Sequence, residues 1–320
     1  MSAPHQLLSQ LAEKPADNFA ASLFDGLAKT PKEISCKYFY DAEGSALFDA
    51  ICALPEYYQT RTEVSLLRRH AAEIARLIGP DAEIVEFGAG SLRKVRILLD
   101  AFVRPRIYRP VDISGTYLRS VARQLAAEYP AVEIDPVVAD FTQPFLLPDG
   151  VNRRAGFFPG STIGNFRPEQ AILLLRRMCE MLAGGGLLIG VDLVKDPRIL
   201  HSAYNDAAGV TAAFNKNLLA RANRELGAGF DLDSFAHYAP YNPRAQRVEM
   251  YLLSLRRQSV TLAGQALSFT VGEAIHTEDS HKYSIESFRE LAARAGFHPR
   301  AVWTDPDRLF SIHWLESGQP

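Results

Sequence analysis

The chain lacks the features that mark several classes of protein. Its 320 residues include only three cysteines, Cys36, Cys52 and Cys179, and no Cys-x-x-Cys pair. That count argues against a disulfide framework or a zinc site and is typical of a reducing compartment. No uninterrupted apolar run approaches the roughly 18 residues of a membrane span. No basic region followed by an apolar one opens the sequence, so we expect no secretion signal.

An excess of one charge is also lacking. The 35 basic and 37 acidic residues leave a net charge of -2, without the basic excess of a nucleic-acid-binding protein. Hydrophobic residues make up 47% of the chain, enough for a substantial core in one large domain or two smaller ones. We therefore expect a soluble, cytoplasmic, monomeric protein with no nucleic-acid or membrane partner.

A glycine turn near residue 90 organises the rest of the chain. A short apolar strand, Ile84 to Phe87, enters a turn that contains Gly88 and Gly90, and a helical pattern follows. Such a unit starts a doubly wound α/β sheet, and its glycines let a ligand approach the backbone. By itself the motif is weak, because any strand–turn–helix unit can carry two glycines.

An acidic residue strengthens the case for a nucleoside ligand. The next apolar strand ends at Asp112, about twenty residues after the glycines, where a carboxylate can accept hydrogen bonds from ribose hydroxyls. The third glycine of the dinucleotide motif is missing, because Arg93 stands in its place. This favours S-adenosylmethionine (SAM) over NAD as the cofactor.

Strands and helices then alternate, which predicts a parallel sheet. The expected strands are 84–87, 107–111, 133–139, 155–158 and 187–194, and the expected helices are 63–77, 117–128 and 168–182. After Lys195 the pattern changes to a helical stretch at 197–235 and strands at 247–255 and 260–271. A helix at 284–296 and a hairpin at 298–304 and 309–315 close the chain, as in the sheet of SAM-dependent methyltransferases.

The predicted fold is α/β: a Rossmann-like, class I SAM-dependent methyltransferase sheet with an inserted α+β substrate subdomain. We divide it into an N-terminal segment (1–62), a SAM-binding core (63–196), a substrate subdomain (197–282) and a completing helix and hairpin (283–320). The N-terminal segment is rich in aromatic residues. They could cover one edge of the sheet or form a lid over the site, and the sequence leaves both readings open.

Ligands in open α/β sheets bind beyond the carboxyl ends of the strands. The candidate cofactor residues there are Gly88, Lys94, Asp112, Asp140 and Phe141. Asp140 and Phe141 suit an adenine pocket, although Asp140 could instead cap a helix. Lys94 could reach the methionine carboxylate of SAM or lie on a solvated helix face.

Residues 275–282 concentrate polar side chains. They could form an exposed loop, or a metal site from His276, Glu278 and His281. No spacing here matches a known metal motif, so we expect no metal. In an extended chain, Glu278 and Ser280 would face one side and could bind a substrate ring.

Several strings in the chain are characteristic of one family; they lie at 40–45, 54–58, 86–90, 160–165, 192–196, 204–206, 209–215, 249–250 and 277–282. Through them the chain resembles the histidine-specific Nα-methyltransferases of ergothioneine biosynthesis over nearly its whole length. The resemblance implies three methyl transfers from SAM to the α-amine of L-histidine, which give hercynine.

The resemblance also implies roles for particular residues. The five cofactor candidates match the family's cofactor contacts. Asn165 and Tyr204 match residues that hold the histidine carboxylate and, with Thr211, form the expected catalytic set. The expected substrate contacts around the imidazole and the amine are Tyr57, Met250, Glu278, Ser280, Tyr40, Phe48 and Gly160, with Thr211 also on the amine side. Asp279 departs from the family pattern, and we expect its side chain to point away from Glu278 and Ser280.

Three alternatives stay open at this point. An NAD-dependent oxidoreductase could use the same frame, although the absent third glycine argues against it. A non-catalytic module could bind an amino acid or a nucleotide. A methyltransferase acting on another small amine or aromatic amino acid could keep the whole cofactor half of the site.

Overall fold

The computed structural model describes residues 19–90, 92–148, 153–262 and 264–318. The α-helices in these ranges are α1 (Phe19–Ala28), α2 (Ala42–Ala53), α3 (Tyr58–Ile78), α4 (Arg93–Leu99), α5 (Gly115–Glu128), α6 (Pro168–Met181), α7 (Pro197–Tyr204), α8 (Val210–Leu226) and α9 (Ile285–Arg294). Two short 3₁₀ helices, Cys36–Phe39 and Thr162–Asn165, also contribute to the site.

Most of the strands belong to two sheets. The main sheet contains β2 (Glu83–Phe87), β3 (Ile107–Asp112), β4 (Glu133–Ile134), β5 (Val137–Val138), β6 (Arg154–Phe158), β7 (Gly186–Asp192), β14 (Phe297–Thr304) and β15 (Phe310–Ser317). The second sheet contains β1 (Lys32–Glu33), β8 (Phe235–Tyr238), β9 (Tyr241–Asn242), β10 (Arg247–Ser254) and β13 (Ala274–His281). A separate hairpin is formed by β11 (Gln258–Leu262) and β12 (Gln265–Phe269).

The main sheet is doubly wound. Its order is β14-β15-β7-β6-β2-β3-β4, with β5 also paired to β3. Strands β2 to β7 run parallel, whereas β15 is antiparallel to both β7 and β14. The carboxyl ends of the parallel strands therefore meet at one edge, where ligands of such sheets bind.

Helices cover both faces of this sheet, which explains its continuous apolar strands. Side chains of β2 alternate between the two cores: Ile84 packs with residues of α3, α4 and α5, whereas Val85 and Phe87 pack with residues of α6 and α9. All five residues of β2 are buried. The two buried acids of β2 have partners, since Glu83 lies 2.7 Å from Arg109 and Glu86 accepts a hydrogen bond from Tyr108.

The second sheet has its own core, which the N-terminal helices share. Phe19 and Leu23 of α1 pack with Leu218 of α8 and Leu252 of β10. Strand β1 pairs in parallel with β13. The N-terminal segment is thus integrated with residues 200–275, while the four-part division of the chain stays a prediction.

Three sequence predictions are wrong in detail. The expected strand 133–139 is two short strands, because Pro136 between them has no N–H to donate to the ladder. The helical stretch 197–235 breaks after Tyr204, where Asp206 accepts from the first amides of α8, and that helix ends at Leu226. The strand 260–271 is instead the β11–β12 hairpin, turned at Gly264 with φ of +78°.

Other expectations are confirmed. The helix expected at 284–296 is present as Ile285–Arg294, and the C-terminal hairpin completes the sheet. Within the described ranges, no helix combines the length and apolarity that crossing a bilayer requires. The expectation about a secretion signal concerns residues that lie outside the described part of the chain.

Candidate active site

A cavity of about 1770 Å³ opens at the carboxyl edge of the parallel strands and extends to the second sheet. It is lined by all the residues predicted for cofactor, substrate and catalysis: Tyr40, Phe48, Tyr57, Gly88, Lys94, Asp112, Asp140, Phe141, Gly160, Asn165, Tyr204, Thr211, Met250, Glu278 and Ser280. The fold thus brings together positions more than 200 residues apart in sequence. Their individual roles stay predictions.

The glycine turn forms the floor of one end. Gly88 and Gly90 have φ values of +70° and +52°, a region that favours glycine. A Cβ at Gly88 would lie 3.2 Å from the Phe141 ring. Asp112 accepts from the Gly90 amide at 3.3 Å and from the Ser114 amide at 2.8 Å, and its two oxygens keep further lone pairs for ribose hydroxyls.

Lys94 is held by a partner that the sequence analysis missed. Its Nζ donates to Glu63 at 2.5 Å, and both Glu63 oxygens accept from the Gly160 amide at 3.0 Å. Glu63 is 1% exposed and lies against Gly190 of β7, where a Cβ would be 2.2 Å from its carboxylate. Because Glu63 belongs to α3, outside the strand ends, no local signal linked it to the site.

Asp140 closes a tight turn instead of capping a helix. Its Oδ1 accepts from the amide and the hydroxyl of Thr142, at 2.9 and 2.5 Å. Lys37 of the N-terminal segment lies 3.5 Å from the other oxygen. The Phe141 ring packs edge-on against Phe158, with centroids 5.5 Å apart. An acid and an aromatic ring therefore stand together at the wall of the cavity.

An aromatic wall lines the opposite end. The ring of Phe48 lies 5.7 Å from that of Tyr40, 6.2 Å from that of Tyr57 and 6.0 Å from that of Phe214. Burial raises the pKa of Tyr40 and Tyr57, so both phenols keep their protons. Some of the N-terminal aromatic residues line the cavity and others fill the core of the second sheet. A role of this segment as a lid stays a prediction.

Residues 274–281 form the largely buried strand β13, so the polar segment is not an exposed loop. Among the described residues, no group of three or more His, Cys, Asp or Glu side chains is arranged to hold a metal ion. Burial raises the pKa of Glu278 to about 7, against the opposing effect of Lys282. Met250 of β10 is the cross-strand partner of Glu278 on β13. Asp279 lines the same cavity, and its carboxylate is tied to His276 at 2.9 Å and Arg247 at 3.2 Å.

Tyr204 and Ser280 meet over a buried ion pair. Their hydroxyl oxygens are 2.7 Å apart, and Lys282 donates to both, at 2.9 and 2.7 Å. Lys282 also lies 2.8 Å from Asp192, which accepts from Tyr58 and is 2.6 Å from Lys195. The motif strings contained these residues, but only the folded chain shows that they support the cavity wall.

Asn165 reaches the cavity from the 3₁₀ turn that follows β6. This turn packs against β13, since His281 Nδ1 donates to the Gly164 carbonyl at 2.9 Å. A Cβ on Gly164 would lie 2.8 Å from the His281 carbonyl oxygen. Across the cavity, the Thr211 hydroxyl is buried, with no hydrogen-bond partner among the described residues. Amide and hydroxyl groups therefore line the space between Glu278 and the glycine turn.

The fold and the cavity define a class of protein. A parallel sheet closed by a reversed C-terminal strand, with a glycine turn at its centre and an acid ending the next strand, is the arrangement of a SAM-dependent methyltransferase. The open space beside Gly90, where an added Cβ would meet nothing within 4 Å, and the lone pairs of Asp112 fit an adenosyl group. When bound, SAM supplies a methyl group made electrophilic by its sulfonium.

Comparison with known proteins places the chain more narrowly. Residues 19–317 match the family of histidine-specific, SAM-dependent methyltransferases, and the chain belongs to that family. It is 44% identical over 307 residues to a histidine N-alpha-methyltransferase of Mycolicibacterium smegmatis, covering 94% of this chain and 95% of that protein. It is 30% identical over 297 residues to ergothioneine biosynthesis protein 1 of Neurospora crassa, covering 89% of this chain and 33% of that protein.

A solved structure of a possible exported protein from Bordetella parapertussis is similar in fold. Its TM-score is 0.52 at 13% sequence identity, covering 98% of this chain and 92% of that one. At this identity the similarity concerns the fold alone.

Proposed function

We propose that the protein transfers three methyl groups from SAM to the α-amino group of L-histidine and releases hercynine, the first step of ergothioneine biosynthesis. The observation that carries the proposal is the joint position of Glu278 and Ser280. Both lie on strand β13, and both line the same cavity as Asn165, Tyr204 and the glycine turn. We further propose that the enzyme is cytoplasmic and monomeric.

The imidazole ring would lie between Glu278 and Ser280. A neutral imidazole has one N–H donor and one acceptor nitrogen, so it needs one acceptor and one donor from the protein. The Glu278 carboxylate supplies the acceptor and the Ser280 hydroxyl the donor. A ring that lacks both nitrogens would leave the buried Glu278 carboxylate without a ring N–H to bind, which is a strong basis for selectivity.

The substrate carboxylate would be held by Asn165 and Tyr204. Their amide and phenol groups can donate hydrogen bonds, and both residues line the cavity between the glycine turn and β13. Holding the carboxylate and the ring together fixes the α-carbon, and with it the direction of the amine. Most of the catalytic effect would then come from orientation.

The amine must be neutral when it attacks the methyl group, and it must turn between successive transfers. The Thr211 hydroxyl is buried and has no hydrogen-bond partner among the described residues, so it can hydrogen-bond the amine. Gly160, which carries no side chain, leaves space beside Lys94. The packed rings of Tyr40, Phe48 and Tyr57 would shield the amine from water.

The test is a change of selectivity. Calorimetry with S-adenosylhomocysteine present should show that the wild type binds histidine far more tightly than phenylalanine or tryptophan. Glu278→Ala should reduce the preference for histidine at least tenfold, because the ring N–H loses its acceptor. Asp279→Asn is the matched control: this neighbouring carboxylate is tied to His276 and Arg247, so the preference should persist. Unchanged selectivity in Glu278→Ala would refute the role of Glu278.

A second candidate function shares the cofactor half of the site. A methyltransferase for another aromatic amino acid would retain Gly88, Lys94, Asp112, Asp140 and Phe141 and would differ around β13. The same calorimetric series separates the two, since such an enzyme would bind another amino acid more tightly than histidine. Tight binding of histidine without any methyl transfer would instead indicate a non-catalytic module.

A further inference from the structure

A buried cation lies directly behind the Tyr204–Ser280 pair. The side chain of Lys282 has 0% exposure, and its Nζ has three oxygen neighbours: Tyr204 Oη at 2.9 Å, Ser280 Oγ at 2.7 Å and Asp192 Oδ2 at 2.8 Å. An ammonium group has three protons and no lone pair. Each contact therefore uses one proton of Lys282, and each of the three oxygens is an acceptor.

This arrangement determines what the two hydroxyls can offer a ligand. Tyr204 and Ser280 lie 2.7 Å apart, so one of them donates its proton to the other. The second hydroxyl proton has no acceptor among the described residues, and both side chains line the cavity. The pair consequently presents a hydrogen-bond donor to the cavity, which suits a carboxylate or the unprotonated nitrogen of an imidazole.

Among the described residues, two buried cations contact Asp192, but only Lys282 also reaches the Tyr204–Ser280 pair. Lys195 donates to Tyr58 instead, and burial lowers its pKa to about 8. Burial would lower the pKa of Lys282, but Asp192 and Tyr204 raise it above its usual value. Lys94, at the other end of the cavity, is already paired with Glu63. The Lys282 charge therefore lies next to Tyr204, where the substrate carboxylate is proposed to bind.

We propose that Lys282 is a positioning residue for the amino-acid substrate: without touching the substrate, it orients the Tyr204–Ser280 pair so that the pair presents a donor to the cavity, and its charge lies beside the site proposed for the substrate carboxylate. The inference rests on the proposed function. A carboxylate entering a cavity that already contains Glu278 needs such compensation, because an uncompensated buried charge is strongly unfavourable.

Lys282→Met tests this role, with Lys195→Met as the matched control. Both substitutions remove a buried cation from Asp192, but only the first removes a donor from Tyr204 and Ser280. We expect Lys282→Met to weaken histidine binding at least tenfold in calorimetry and S-adenosylhomocysteine binding less than twofold. Lys195→Met should change histidine binding less than threefold. Histamine, which has no carboxylate, should lose less affinity than histidine.

The outcomes separate the two proposals. If wild-type protein does not bind histidine, the proposed function fails and this inference falls with it. If the wild type binds histidine but the two lysine variants lose affinity equally, or Lys282→Met matches the wild type, only the role of Lys282 is wrong. Equal losses for histidine and histamine would also overturn it. Should Lys282→Met not fold, Lys282→Gln replaces it, since a neutral amide removes the charge while it can still hydrogen-bond Asp192.

Discussion

The Glu278 carboxyl is unfavourable for folding in the ligand-free protein. Burial raises its pKa from 4.5 to about 7, so the folded state binds its proton more tightly than the unfolded state does. Stability therefore falls as pH rises from about 4.5 to 7 and stays lower above that range. A residue that opposes folding in this way is typical of a binding site, where a ligand provides the missing partner.

Glu278→Gln should consequently stabilise the protein in a pH-dependent manner. At pH 8 the gain in free energy of unfolding should be on the order of 3 kcal/mol, an upper bound because the cavity admits water, and at pH 5.5 about 1 kcal/mol. Urea unfolding at the two pH values measures it. Glu290→Gln, at an exposed position on α9, should give no such difference. An equal gain at both pH values would contradict the account.

Among the secondary-structure elements, α2 depends on a cap that also joins distant parts of the chain. Asp41 accepts from the Gly44 amide at 2.7 Å and from Asn217 of α8 at 2.8 Å, and it pairs with Arg224. The cap thus holds the start of α2 against α8. Tyr40 and Phe48, which line the cavity, lie immediately around this contact.

Asp41→Ala should lower the free energy of unfolding by about 2 to 3 kcal/mol, since it removes both a helix cap and a half-buried cross-link. Asp196→Ala provides the comparison. Asp196 also caps a helix, but it is exposed and, among the described residues, its side chain bonds with Arg198 alone, so its loss should cost clearly less than that of Asp41. Chemical denaturation of both variants measures the difference, and equal losses would show that the contact with α8 contributes nothing.

At the scale of the whole molecule, local patterns in the sequence were sufficient for the parallel sheet. Strands β2 and β3, the glycine turn and Asp112 each follow from apolar runs and glycines within a few residues. The same patterns failed where the chain depends on distant partners. The parallel pairing of β1 with β13 joins Lys32 to Ile275, and no periodicity indicates it.

The candidate site divides in a similar way. Residues at strand ends, such as Asp112 and Asp140, could be proposed from the sheet pattern alone. Asn165, Tyr204 and Glu278 required the family resemblance, because their convergence depends on how the two sheets pack. Glu63 and Lys282 were assigned no role at all: they contact the cavity through other side chains, and only three-dimensional contacts reveal them.

The central claim is that this cavity binds SAM together with histidine and that histidine is the one amino acid that is methylated there. Mass spectrometry of an equal mixture of amino acids, incubated with the purified protein and SAM, tests it most directly. The account predicts that histidine alone gains methyl groups and that the final product carries three. Methyl groups on another amino acid would leave the cofactor site standing and contradict the role of Glu278 and Ser280; no transfer to any amino acid would contradict the proposed function itself.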